Sequence, residues 1–95
     1  SDAERNDHAV SFIRDAMNSE EHIIIFNCVG WPDLGGGSAV SQFAMMARKF
    51  GKQLIVAVSE KDAIKLKDNF NIIGTLSYGK ENFIAMSHTK SEFCS

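Results

Sequence analysis

A chain of 95 residues, 44% hydrophobic and 23% charged with a single Pro, is long enough for one small core and too apolar for a disordered or linker-like segment. Its formal net charge of −2 supplies no electrostatic reason to expect nucleic acid or an anionic membrane as partner. No apolar run approaches the roughly 18 to 20 residues of a membrane span, and two cysteines without CxxC or Cys/His spacing argue against a disulfide framework or structural zinc.

The whole of residues 1–95 therefore reads as a single α/β domain, with the cytoplasm as its expected compartment and no cofactor or metal implied. The missing initiator Met leaves room for excision from a longer chain. Charge is uneven along it. Residues 1–22 hold six acids (Asp2, Glu4, Asp7, Asp15, Glu20, Glu21) against two bases (Arg5, Arg14), a balance of −4 that leaves +2 for the remainder. The basic residues Arg48, Lys49 and Lys52 fall at the end of a helix, where cations suit the dipole.

Residues 3–19 carry Ala9, Val10, Ile13, Ala16 and Met17 at three- and four-residue steps, the spacing of an amphipathic helix. His8 lies beside that stripe as an exposed polar position. Ile23, Ile24, Ile25 and Phe26 follow as an uninterrupted apolar run, which predicts a central strand covered on both faces. Asn27, Cys28, Val29 and Gly30 then mark its carboxyl end, where ligands bind in open α/β sheets.

The loop over 30–37, Gly-Trp-Pro-Asp-Leu-Gly-Gly-Gly, is the most distinctive stretch. Pro32 favours an extended Trp31, Gly35, Gly36 and Gly37 permit close approach of another group, and Ser38 is a good N-cap for the helix that follows. Free N–H groups at such a helix start could seat an anion. Against that, the glycine spacing is neither GxGxxG nor a P-loop, and the loop's one charged residue is Asp33. Trp31 could equally anchor a protein contact. The candidate ligand-binding residues are Asn27, Trp31, Asp33, Gly35, Gly36, Gly37 and Ser38.

Val40, Phe43, Ala44, Ala47 and Phe50 form the inward stripe of a second helix, widened by Met45 and Met46 as core filler and closed by Gly51. Leu54 to Val58 is a second apolar strand, parallel to the first because a helix connects them. Ser59 caps a third helix with Asp62 at the capping-box position; Ala63, Leu66 and Phe70 face inward. Residues 71–77 and 82–88 read as an antiparallel hairpin around Tyr78-Gly79-Lys80-Glu81. The tail through Cys94 has no assigned role.

The order is α-β-α-β-α-β-β. It predicts a three-layer, Rossmann-like domain with a mostly parallel sheet in the order 2-1-3-4, helices on both faces and an antiparallel C-terminal hairpin. A rival arrangement with every helix on one face of a more exposed sheet is kept open by the hairpin.

Cys28 is the one weak catalytic candidate, placed where a helix N-terminus would lower its pKa. Its position at the mouth of a strand is similar to that of the nucleophile in low-molecular-weight tyrosine phosphatases and some phosphotransfer domains. Here, however, nine residues separate it from Ser38 and no Arg intervenes. The run from Ser38 to Lys52 partly resembles sugar-isomerase phosphosugar-binding domains, in which a Ser at a helix start meets the sugar phosphate; the likeness covers fifteen residues. Ser38 is not in a GxSxG elbow, His8, His22 and His88 lack metal spacing, and an Asp33, Ser38 and His88 triad can be drawn only on paper.

Two functions follow as expectations, with enzymatic activity left open. The first is a small non-catalytic interaction or regulatory domain that meets a protein partner or forms a homodimer, through the loop or the acidic first helix. The alternative is a ligand-binding or catalytic module that holds a nucleotide, phosphosugar or other small anion at the glycine-rich loop.

Overall fold

The structure, a computed structural model, describes residues 2–31, 33–34 and 38–88. Three helices and a four-stranded sheet follow in the order α1 (Asp2–Met17), β1 (Ile23–Asn27), α2 (Ala39–Lys49), β2 (Gln53–Ser59), α3 (Glu60–Leu66), β3 (Asn71–Tyr78) and β4 (Glu81–Ser87).

Each helix forms where the apolar spacing requires it, and the caps follow from residue chemistry. In α1 the buried residues Ala9, Ile13 and Met17 repeat every four positions. Ser38 caps α2 by accepting the Ser41 N–H at 3.3 Å. At its other end Gly51 adopts φ 68°, and the Gly51 and Lys52 N–H groups donate to the Arg48 and Ala47 carbonyls, a Schellman closure. The buried Lys52 then turns its ammonium onto the Ser19 and Glu21 carbonyls, at 2.6 and 2.7 Å, and ties the end of α1 to the start of β2. At α3 the Ser59 hydroxyl donates to the Asp62 carboxylate rather than accepting from the backbone. Desolvation would raise the Asp62 pKa, but the hydrogen bonds from Ser59 and Lys65 and the charges of Lys65 and Lys61 outweigh it and hold the carboxyl below its ordinary value.

Sheet topology departs from the expected one. The strand order is β1-β2-β4-β3, with β1 and β2 parallel and the two other pairs antiparallel. The expected order 2-1-3-4 and a mostly parallel, Rossmann-like sheet are therefore corrected: β1 is an edge strand, and β4 rather than β3 joins the parallel pair. Both strands of the expected hairpin form, each within a residue of the expected bounds, and Gly79 with φ 62° turns between them as in a type II′ loop.

Chain geometry ties this order to a second correction. A crossover from one strand to a parallel one is right-handed, so its helix sits on a face set by the direction in which the chain steps across the sheet. Order 2-1-3-4 reverses that direction between the two crossovers and sends α2 and α3 to opposite faces. In the observed order the chain steps the same way twice, from β1 to β2 and then past β4 to β3, so both helices cover the same face. The domain has two layers instead of three, as the rival arrangement anticipated.

The covered face holds the core. Ile24, Leu54, Val56, Val58 and Met86 are buried beneath Val40, Phe43, Ala44 and Ala47 of α2 and Ala63 and Leu66 of α3. Phe26 joins the helices to the sheet: its ring packs edge-on to Phe43 at 5.7 Å and stacks on Phe12 of α1 at 5.8 Å. Met45, expected as core filler, is exposed, while Met46 packs against the core.

Candidate functional site

Two surfaces stand out, one at the carboxyl end of β1 and one on the helix-free side of the sheet.

At the end of β1 the chain turns through Cys28 to Trp31. The Trp31 N–H donates to the Cys28 carbonyl at 2.9 Å, and Gly30 at φ 80° occupies the position of a type II turn that requires a left-handed residue. The Asn27 carboxamide oxygen accepts the Val29 N–H at 2.9 Å and braces the turn. Trp31 is half-buried, edge-on to Phe26 at 5.5 Å. Beyond it Leu34 is buried in the core and Asp33 is exposed.

Helix α1 completes this region. Arg5, His8 and Phe12 form one face of the helix and, with Phe26, Asn27 and Trp31, line an open groove of ≈ 420 Å³. The Arg5 guanidinium donates to the Gly30 carbonyl at 3.2 Å. A cation absent from the loop's own sequence is thus delivered by the first helix. Arg5 and His8 were not among the expected site residues. Their i, i+3, i+7 spacing with Phe12 was visible, but nothing in the sequence said which strand end that face would meet.

Of the expected site residues, Asn27 and Trp31 come together in the groove. Ser38 is buried, with its hydroxyl engaged as the helix cap. Gly35, Gly36 and Gly37 lie outside the described residues, as do Pro32 and Cys94. Cys28 does lie at the strand mouth but is fully buried, with its N–H bonded to the Ala57 carbonyl. Burial pushes its thiol up to about 12, the opposite of the lowering expected from a helix N-terminus. His88 is buried beside the first residues of β2, where its Nδ1 accepts the Leu54 N–H at 3.0 Å. It therefore lies at the opposite end of the sheet from Ser38, and an Asp33, Ser38 and His88 triad does not form. Among the described residues no group of His, Cys, Asp and Glu is arranged to hold a metal, and no helix is long and apolar enough to cross a membrane.

The second surface is the sheet face that the helices leave uncovered. Strand alternation and the pairing registers place on it Ile23 and Ile25 of β1, Ile55 and Ala57 of β2, Phe83 and Ala85 of β4, and Leu76 and Tyr78 of β3. A bulge sets Ile73 beside Gly74 opposite Ala85 and adds one more apolar side chain. Ile25 is 67% exposed, Leu76 56% and Tyr78 82%. At the margin of this face the Gln53 carboxamide donates to the Ser87 hydroxyl at 3.2 Å.

Comparison of the chain with protein-family models, with curated proteins and with solved structures finds no match in any of the three.

Proposed function

We propose that the chain is a non-catalytic interaction domain whose helix-free sheet face docks a protein partner. The observation that carries this reading is the mismatch between how β1 and β2 are written and how they are covered. Uninterrupted apolar strands belong between two layers, yet among the described residues only one face of this sheet has a layer on it. Isolated exposed hydrophobes need no explanation, but a contiguous patch spanning all four strands marks a contact surface. The contact surface is thus the sheet, in place of the loop or the acidic helix expected from the sequence. The high thiol pKa of Cys28 is in keeping with a non-catalytic role.

The test is photo-crosslinking with a benzophenone amino acid in place of Leu76, in cells that express the full chain. Ile64, which is 67% exposed on α3 in the other layer, is the control site. Protein adducts from position 76 and none from position 64 are expected. Absence of adducts at 76, or equal yields from both sites, contradicts the reading.

The Arg5 and Trp31 groove favours a second reading, a small anion held at the end of β1. A guanidinium beside an aromatic wall can pair with a carboxylate or phosphate on a flat organic ligand. Glu4 and Asp7 line an adjoining groove on the same helix and work against a negative ligand.

A further inference from the structure

We infer that the partner is a second copy of this chain, docked face to face through the helix-free sheet. The inference rests on the interaction reading and names its occupant. Three features of the face point to a copy of itself.

The first is area. Taking roughly 200 Å² for a large extended side chain, the exposures of Ile23, Ile25, Ile73, Leu76 and Tyr78 amount to on the order of 600 Å². The half-buried Ile55, Ala57, Phe83 and Ala85 bring the face toward the ≈ 800 Å² that each partner contributes to a standard interface. A face of that size on a small chain exceeds the single patch of an ordinary monomer.

The second is charge. The face carries no Lys, Arg or Asp among its β1, β2, β3 and β4 positions, and its one acid, Glu81, sits at the hairpin end opposite Tyr78. A charged partner would leave its charges unpaired against this surface. A two-fold related copy presents the same uncharged residues and meets no like charge at the centre. Of the acids on α1, Asp15 lines a groove with Ile23 and Ile25 at the β1 edge and falls at the rim of the face, not at its centre.

The third is shape. Across the middle row, Ala57 of β2 and Ala85 of β4 lie side by side next to Gly74 of β3. Bulky side chains flank this row: Ile25 and Ile55 towards the amino ends of β1 and β2, Phe83, Leu76 and Tyr78 towards the hairpin turn, and Ile73 at its β3 end. Two facing sheets sit about 10 Å apart, a spacing filled by interdigitating side chains. A low centre between two ridges lets two copies interlock in that way, and yields a four-layer α/β–β/α dimer with a polar rim of Asn27, Gln53 and Asn71.

Sedimentation velocity at micromolar concentration tests the proposal. The wild-type chain is expected at about 21 kDa, twice its 10.5 kDa. Ile25→Glu with Leu76→Glu should sediment as a monomer with an unchanged far-UV CD spectrum, whereas Ile64→Glu on the other layer should remain dimeric. Mixing the double-Glu chain with Ile25→Lys/Leu76→Lys should restore a one-to-one pair, an outcome that misfolded variants could not produce. A wild-type monomer, or a dimer indifferent to these substitutions, overturns the proposal. A monomer that still gives adducts with another protein from position 76 overturns the second copy alone; a monomer without adducts overturns the interaction reading as well.

Discussion

Cys28 shows at the scale of one residue why position does not determine chemistry. Its place at the strand mouth was legible from the apolar run before it and the glycines after it. Its burial was not, because that depends on the assembly in three dimensions of the core cluster it shares with Leu34 and the helices. Desolvation favours the neutral thiol, so the folded-state pKa stands near 12 against an ordinary 9.0. The sign follows: the stabilising contribution of the neutral thiol is complete below the unfolded value and is lost as pH rises toward the folded one. With Cys94→Ser making Cys28 the sole thiol, a disulfide-exchange reagent at about pH 8 should label the native chain far more slowly than the unfolded chain. Equal rates in native buffer and denaturant would contradict the buried, protonated thiol.

Local signals served well at the level of elements, because caps and turns depend on a few neighbouring residues. Ser38, Gly51 and the Gly79 turn all lie where their side chains, or lack of one, demanded. Gly51 offers the sharpest check. It holds φ 68° with nothing within 4 Å of where a Cβ would sit, so the cost of Gly51→Ala is conformational rather than steric. A left-handed residue other than Gly costs about 1 to 2 kcal/mol. Denaturant unfolding should show a loss of about that size with an unchanged m-value. A neutral substitution would mean that the Schellman closure contributes little to α2.

Less was legible about which strands are neighbours. The run Ile23 to Phe26 signals a strand with two apolar faces, and the natural inference is a central strand. In fact β1 is an edge strand with Ile23 and Ile25 pointing away from the helices. Periodicity reports which faces must be covered, not what covers them. The hairpin was found from its turn, but its pairing partner depends on long-range contacts between β2 and β4 that no local pattern encodes.

At the scale of the whole molecule, one topological fact organises the rest. Two crossovers stepping in the same direction put α2 and α3 on one face and leave the apolar side chains on the other face without a helix over them. The groove at the end of β1 is likewise a product of assembly, since Arg5 meets Gly30 across 25 positions of chain. Asn27 and Trp31 could be singled out beforehand; Arg5 could not, because the contact exists only once α1 has docked on Phe26.

Side-chain accessibility measured by methyl NMR with a soluble paramagnetic reagent tests the central claim most directly. Ile25 and Ile64 are each 67% exposed in the single chain, one on the open sheet face and the other on α3. If the open face is a contact surface between copies, the Ile25 and Leu76 methyls are shielded in the wild-type protein while Ile64 is strongly broadened, and Ile25→Glu exposes Leu76. Equal broadening of Ile25, Ile64 and Leu76 in the wild-type protein at micromolar or higher concentration would contradict it.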